Sequence, residues 1–266
     1  AAASLDEAHA AIELWEHYSG KTLDLTQRLV VEVMEAPELL QKNGYQFVVT
    51  PHVAHVDLWK TSGHWGFYQE NMFSPMKIEE QDYLLKPMNC PHHIMIYKSR
   101  PRSYRELPLR LAEFGTVYRN EKSGELSGMT RVRGFTQDDA HIFMKPEDIQ
   151  QEIASVITLF DEVYSTFGLN YRLELSTRPD SNTIGNDEEW HVATAGLKGA
   201  LDFLGREYKI NEGDGAFYGP KIDFHIRDAL NRSWQCGTIQ LDMALPERFD
   251  LHYTADDGSR KRPIMI

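Results

Sequence analysis

Apolar residues recur every three or four positions in several parts of the chain, the spacing that gathers them on one face of a helix. The clearest case begins at Pro146, where a proline opens the helix and two acids follow in its first turn. Pro37 is expected to kink or divide the helix that contains it. The predicted helices cover residues 5–18, 23–43, 146–167 and 188–204, and a shorter one begins at His92.

Other stretches alternate apolar and polar residues, which is the two-residue period of a strand with one buried face. Short polar turns connect them, including Asp257-Gly258, a pair favoured in two-residue hairpin loops. Because short connections join antiparallel neighbours, the pattern predicts an α+β fold in which an antiparallel β-sheet is flanked by helices. The predicted strands are 45–51, 117–119, 169–176 and 207–211, with further hairpins formed by 213–229 and 233–245 and within 249–266.

The stretch 118–143 departs from the pattern of a core strand, because it carries three arginines among its apolar residues. The predicted hairpin has Arg119 at the end of one strand, and Arg131 and Arg133 at the end of the other. Planar guanidinium groups suit the bidentate grip of a phosphate or carboxylate, and Phe135 is placed to stack on a purine ring. A ladder of Arg–Glu salt bridges across the strands explains the same residues, and the sequence leaves both hypotheses open.

The second strand of this stretch carries three polar residues at alternate positions, Gln137, Asp139 and His141. Alternation directs them to one side of the strand, where burial in an apolar core would be costly. That face is therefore predicted to line a pocket for a small polar molecule. Gln235 and Gln240 indicate the same for another strand.

Cys90 and His141 are candidate metal ligands, since each lies near the end of a predicted strand and both residue types bind zinc. Cys90 is expected at a strand-to-helix junction, where side chains often face a cleft. A buried free cysteine and a hydrogen-bonded core histidine remain the alternative. A tetrahedral site needs more ligands, for which the sequence offers His52, His55, His92, His93 and His225.

The composition sets limits on these hypotheses. The chain has 266 residues, 41% of them hydrophobic, which suffices for one large core with an appendage, expected as 1–43 and 44–266. Its net charge of −12 means that a nucleic-acid partner would be met by a local basic patch. Two cysteines far apart favour free thiols in a reducing compartment, and we expect a cytoplasmic protein. No apolar run reaches transmembrane length, so no membrane partner is expected.

Four ordered motifs resemble the catalytic domain of threonyl-tRNA synthetases: KPMNCPHH (86–93), YRNEKSG…RVRGFTQDDAHIF (118–143), GAFYGPKIDF (215–224) and QCGTIQLD (235–242). The resemblance covers about 44–266 and implies a class II aminoacyl-tRNA synthetase core that works as a homodimer. Residues 44–51 are similar to the first class motif, at the dimer interface, and 118–143 to the second. Residues 1–43 do not share the family pattern.

The resemblance also implies roles for individual residues. Arg119 would hold the α-phosphate of ATP and the amino acid carboxylate, while Glu121 contacts the adenine and Phe135 stacks under it. The hairpin loop would touch the acceptor end of tRNA, and His64 matches a histidine implicated in the transfer to tRNA. Further matches are Arg131, Gln235 and Thr238 for ATP, Met88, Gln137, Asp139, Tyr218 and Gln240 for threonine, and Lys221 as a catalytic residue.

In that family a zinc ion is bound by one cysteine and two histidines, and Cys90 and His141 match two of the three. Threonine would coordinate the zinc, with its hydroxyl donating to Asp139, so valine would be rejected for lack of that hydroxyl. The implied reaction has two steps. Threonine attacks the α-phosphate of MgATP to give threonyl-adenylate, and a ribose hydroxyl of tRNA(Thr) then takes the acyl group.

Family members carry the third zinc histidine and the third class motif in the segment that follows the position of Ile266. Two hypotheses follow: an enzyme that activates threonine, or a catalytically inactive, truncated or redesigned core that keeps the fold and partial threonine and ATP binding. A third is another class II synthetase, of the seryl or prolyl type. Cys90, Asp139 and His141 distinguish threonine from these.

Overall fold

The computed structural model describes residues 36–128, 130–228 and 230–266 of the chain. The described residues belong to two compact units, one ending at Phe47 and the other comprising Val48–Ile266. In the first unit the C-terminal part of the predicted helix 23–43 is confirmed. The predicted helix 5–18 and the start of 23–43 lie outside the described residues, and the domain boundary at residue 43 stays a prediction.

The helices are α1 (Ala36–Lys42), α2 (Val56–Ser62), α3 (His64–Phe67), α4 (Cys90–Lys98), α5 (Ile149–Thr166), α6 (Asp187–Phe203) and α7 (Ala244–Arg248). The strands are β1 (Gln46–Phe47), β2 (Val53–His55), β3 (Met76–Ile78), β4 (Gln81–Leu85), β5 (Leu109–Tyr118), β6 (Gly134–Met144), β7 (Tyr171–Ser176), β8 (Tyr208–Asn211), β9 (Lys221–Arg227), β10 (Ser233–Gln240), β11 (Tyr253–Thr254), β12 (Arg260–Lys261) and β13 (Ile264–Met265).

In the second unit, β5 and β6 form the predicted antiparallel hairpin, and β13 pairs with the other edge of β6; we call these three strands the first sheet. The prediction of a strand at 117–119 was wrong in its start, because β5 begins at Leu109. Arg110 and Glu113 interrupt its apolar pattern and concealed it. Arg119 directly follows β5, and Arg131 and Arg133 precede β6, so none of the three arginines lies within a strand.

The second sheet has the order β10-β9-β7-β8. β9 pairs antiparallel with β10, as the short connection between them predicted, and also with β7. A bulge interrupts β10 between Gln235 and Gly237. β7 and β8 pair in parallel, which departs from the antiparallel expectation because α6 provides the crossover between them. An antiparallel bridge between Asp242 and Met265 joins the two sheets. The predicted α+β class is confirmed.

Helices α5 and α6 pack against the second sheet through one apolar cluster that includes Ile153, Ile157 and Leu197, all fully buried. Burying each such side chain contributes roughly 1.5–3 kcal/mol. Over the first sheet, Tyr97 of α4 stacks on Phe143 of β6 with ring centroids 4.5 Å apart. This packing holds the C-terminal end of α4 against the hairpin. Among the described residues, no helix combines the length and apolar character of a membrane span.

Candidate functional site

One face of β6 forms the floor of the site. Phe135, Gln137, Asp139 and His141 are partly or fully buried there, whereas Thr136 and Asp138 are exposed on the opposite face. The predicted alternation is therefore confirmed. Because β5 pairs with β6 in register, Glu113 lies opposite Asp139 on the same face.

Asp139 is held by a residue that the sequence did not single out. Asn89, at the N-terminus of α4, is fully buried and donates from its Nδ2 to Oδ2 of Asp139 over 2.9 Å. Gly115 of β5 leaves the space for it, since a Cβ at this position would collide with the Asn89 amide. Among the described residues no hydrogen bond reaches Oδ1 of Asp139, so this oxygen is left to accept a hydrogen bond from a ligand.

The guanidinium group of Arg119 lies near two aromatic rings and has no carboxylate partner among the described residues. Its guanidinium carbon lies 5.1 Å from the ring centroid of Phe135 and 5.9 Å from that of Tyr68. Its Nε donates to the carbonyl oxygen of Pro87 at 3.4 Å, and no carboxylate of the described residues is within 4.0 Å. A partly buried cation without a carboxylate is suited to binding an anion.

The other two arginines are engaged within the hairpin. Arg131 forms a salt bridge with buried Glu121, over 3.3 Å, and Nε of Arg133 donates to the Glu121 carbonyl at 3.0 Å. The salt-bridge hypothesis is therefore correct for Arg131, while the anion hypothesis stays open for Arg119. The structure thus separates two hypotheses that the sequence could not.

His64 and Met88 lie together beside this floor. His64 is fully buried, its Nδ1 is 2.8 Å from Ser62 Oγ and its Nε2 is 3.1 Å from the Met88 sulfur. Burial lowers the pKa of His64 to about 4, with Arg119 and Arg248 adding to the effect, so the ring is neutral at pH 7. Because sulfur only accepts here, Nε2 carries the proton.

Tyr218 brings the second sheet to the same region. Its hydroxyl donates to Oε1 of Gln240, and its ring centroid is 6.4 Å from that of His64. Burial raises the pKa of Tyr218 well above its ordinary value, and the nearby Cys90 and Asp242 raise it further. Cys90 and Asp139 are therefore close enough to Tyr218 to contribute to the shift of its pKa.

Lys221, Gln235 and Thr238 form a separate group around Asp223. Oδ2 of this fully buried carboxylate is 3.0 Å from Lys221 Nζ, and Oδ1 accepts from Gln235 Nε2 at 2.6 Å and from Thr238 Oγ1 at 3.1 Å. Ser176 donates to Oδ2 at 2.8 Å. No hydrogen bond between described side chains joins this group to Arg119.

Cys90 and His141 have the chemistry of metal ligands. Burial raises the pKa of the Cys90 thiol well above its ordinary value, with Asp139 and Asp242 contributing, while burial lowers the pKa of His141 to about 4. The imidazole is therefore neutral and keeps one lone pair. However, no group of three His, Cys, Asp or Glu side chains in the described residues has a geometry able to hold a metal ion.

The five histidines considered as a third ligand are engaged elsewhere or lie apart. His52 bonds Tyr118, His55 accepts from the Asp57 amide, His225 faces Glu174, and His93 lies between Glu113 and His141. His92 packs against Trp59, and neither of its ring nitrogens has a hydrogen-bond partner. None of them completes a site in the described residues.

Sequence reasoning missed a network of buried polar side chains around Glu113, on the same face of the first sheet as Asp139. Glu113 accepts hydrogen bonds from the backbone and hydroxyl of Thr50, from Lys86 and from His93. These bonds lower the pKa of Glu113 to about 2, although burial alone would raise it. The available signal was an acid inside the otherwise apolar run LRLAEFGTVY.

Residues 73–266 match the profile of the tRNA synthetase class II core domain (G, H, P, S and T). A threonine–tRNA ligase of Protochlamydia amoebophila is 68% identical over 229 residues, which are 86% of this chain and 35% of that protein. One of Parasynechococcus marenigrum is 54% identical over 262 residues, 98% of this chain and 42% of that protein. The chain thus spans well under half the length of these relatives.

A crystal structure described as the RNA binding domain of threonyl-tRNA synthetase from Cryptosporidium parvum Iowa II superposes with a TM-score of 0.85 at 48% identity. The match covers 90% of this chain and 60% of that one. The arrangement of helices and sheets is therefore shared across most of the described residues.

Proposed function

Because the chain belongs to the tRNA synthetase class II core family, we propose that it is the catalytic core of a threonine–tRNA ligase, which activates threonine with ATP and transfers it to tRNA(Thr). Relatives up to 68% identical carry that name. The proposal depends on one observation: Gln137, Asp139 and His141 lie on one face of β6. Beside them are Cys90 and Arg119, which has no carboxylate partner among the described residues.

Asp139 is the proposed selector of the threonine hydroxyl. Asn89 occupies one of its oxygens and so orients the carboxylate, leaving the other to accept from the substrate. Valine has no hydroxyl and would leave this partly buried acceptor without a hydrogen bond, so valine should bind more weakly than threonine. The proposed threonine site is completed by Met88, Gln137, Tyr218 and Gln240.

Arg119 is proposed to bind the α-phosphate of ATP and the threonine carboxylate, since its guanidinium group has no carboxylate partner among the described residues. Arg133 also has none, but its guanidinium group is occupied by the Glu121 carbonyl and the Ser123 hydroxyl. Phe135, stacked against this guanidinium, would contact the adenine together with Glu121, which Arg131 holds in place. We propose that the second sheet contacts the nucleotide through Lys221, Gln235 and Thr238. Asp223 holds these three side chains in place. Mg²⁺ would accompany ATP.

A zinc ion is proposed with Cys90 and His141 as two of its ligands, because both are buried, one as a thiol and one as a neutral imidazole. When bound, zinc would supply a Lewis acid that recognises the amino and hydroxyl groups of threonine. β13 supports this proposal, because Ile266 and Ile142 exchange backbone hydrogen bonds of 2.7 and 3.0 Å. In this antiparallel register, a residue that continued β13 past Ile266 would pair with His141 of β6.

The proposal extends to the partners and the compartment. His64 and the loop of the 118–143 hairpin are proposed to act at the acceptor end of tRNA. A homodimer is proposed from the resemblance of residues 44–51 to the first class motif, a segment in which Val49 is 94% exposed. Sedimentation of Val49→Glu should then show a monomer, and an unchanged sedimentation coefficient would contradict this. The cytoplasmic assignment depends on the two free thiols and is tested by localising a tagged chain.

ATP–pyrophosphate exchange tests the reaction. We expect threonine to stimulate exchange and serine, proline and valine to do so weakly or not at all. Asp139→Asn should lower kcat/KM for threonine at least ~100-fold. Asp138→Asn, the adjacent carboxylate on the exposed face, is the matched control and should keep it. If threonine stimulates no exchange, the proposed activity is wrong. If both variants lose kcat/KM equally, the proposed role of Asp139 is wrong.

A further inference from the structure

Glu113, His93 and His141 form a continuous chain of hydrogen bonds from the interior to the pocket floor. His93 Nε2 lies 3.2 Å from Glu113 Oε2, and His93 Nδ1 lies 2.9 Å from His141 Nδ1. All three side chains are buried, with 0–6% of their surface exposed. Each hydrogen bond needs one proton, so the position of every proton can be derived.

The carboxylate end of the chain is fixed by its other partners. Glu113 Oε1 accepts from the Thr50 amide at 2.9 Å and from Lys86 Nζ at 3.2 Å, while the Thr50 hydroxyl is 2.8 Å from Oε2. These donors leave Glu113 as an acceptor at both oxygens. His93 must therefore donate from Nε2.

The charge of His93 follows from its neighbours. Lys86 already lies 3.2 Å from Glu113, so a protonated His93 would make two buried cations share one carboxylate, which is costly. Neutral His93 carries its proton on Nε2 and can only accept at Nδ1. His141 must then donate from its own Nδ1, which leaves its Nε2 unprotonated.

We propose that Glu113 and His93 are positioning residues that hold His141 in the tautomer whose Nε2 lone pair is available to a metal ion; this purpose rests on the zinc site of the proposed function. Among the described residues, His93 is the one hydrogen-bond partner of the His141 ring. A second partner of this kind fixes both the ring orientation and the basicity of a ligating histidine.

The tautomers are measured by long-range ¹H–¹⁵N NMR on the metal-free chain with ¹⁵N-labelled histidine, with His93→Gln and His141→Gln to assign the signals. We expect His141 to be protonated on Nδ1 and His93 on Nε2. A proton on His141 Nε2 in the unmodified chain would overturn the proposal. This result needs no variant to fold and no metal to bind.

Glu113→Gln replaces a pure acceptor with an amide that can also donate. We expect the Nε2-protonated tautomer of His141 to appear and zinc affinity, measured by chelator competition, to fall about 10–100-fold. Glu174→Gln is the matched control, since Glu174 is also buried beside a histidine and a cation, His225 and Arg172, in the second sheet. It should leave the His141 tautomer unchanged.

An unchanged His141 tautomer in Glu113→Gln, or an equal change in Glu174→Gln, would overturn the positioning role. If the metal-free chain shows the expected tautomers but binds no zinc, the zinc site of the proposed function is wrong. The two failures are therefore distinguishable.

Discussion

The first and second sheets each have a buried carboxylate at the centre of a hydrogen-bond network, Glu113 and Asp223, but the two networks differ in the origin of their partners. Asp223 is bonded by side chains of its own sheet, from β7, β9 and β10. Glu113 is bonded by Thr50 of a loop, Lys86 after β4 and His93 of α4. The Glu113 network therefore holds separate elements together, whereas the Asp223 network orients side chains on one sheet.

The difference lies also in what each network leaves exposed to a ligand. The Glu113 network reaches His141 through a neutral histidine, and its two charges, Glu113 and Lys86, compensate each other in the interior. The Asp223 network presents a lysine that is only 12% exposed and is shared with Asp214 at 3.3 Å. Removing the central carboxylate should consequently damage stability more in the first sheet than in the second.

The largest expected effect is that of Glu113→Ala, which leaves Lys86 as an uncompensated charge in the interior. We expect the free energy of unfolding in urea to fall by about 3–5 kcal/mol. The double variant Lys86→Met/Glu113→Ala removes both charges and should recover part of this loss. A loss below about 1 kcal/mol in the single variant would show that the network does not hold the elements together.

Asp242, at the bridge between the sheets, should give the next largest effect, as a dependence on pH. Burial raises the pKa of Asp242 to about 7, although the amides of Leu245 and Ala244 oppose this shift. Between pH 4 and pH 7 the folded state binds the proton that the unfolded state has lost, so stability falls as pH rises. Relative to Asp242→Asn, the chain should lose roughly 2–4 kcal/mol across this range. A constant difference between the two proteins would contradict the raised pKa.

Two tight glycines permit a paired test of the sheets. A Cβ at Gly115 would collide with Asn89 over the pocket, and one at Gly237 would collide with Phe160 and Tyr164 of α5. Each alanine variant should cost about 1–3 kcal/mol in urea unfolding. We expect only Gly115→Ala to weaken threonine binding in calorimetry, through loss of the Asn89–Asp139 hydrogen bond. Gly124→Ala, with open space around it, is the control, and equal binding by all three would refute the role of Asn89.

Asp223→Asn should have the smallest effect on stability, about 1–2 kcal/mol. Lys221 keeps its second carboxylate, Asp214, and the asparagine oxygen still accepts from one of the remaining donors. Urea unfolding measures the loss, and Asp214→Asn, which removes an exposed partner, should change little. A loss as large as that of Glu113→Ala would erase the distinction between the two networks.

Local patterns were sufficient for the hairpin, for the polar row of β6 and for the helices that flank the second sheet. They could not reveal the Glu113 network, because its hydrogen bonds join residues 20 to 63 positions apart. The same acid hid the start of β5, since a charge in an apolar run reads as the end of a strand. Asn89 was missed because its partners, Gly115 and Asp139, also lie far along the chain.

The bridge between Asp242 and Met265 has a consequence for the order of folding. The β5–β6 and β9–β10 hairpins close through neighbours in sequence, but β13 must find β6 across most of the second unit. Loop closure of that length is entropically slow, and during synthesis both hairpins leave the ribosome before β13 does. We therefore expect the sheets to form separately and to join last, with late amide protection at Asp242 and Ile266 in pulse-labelling hydrogen exchange.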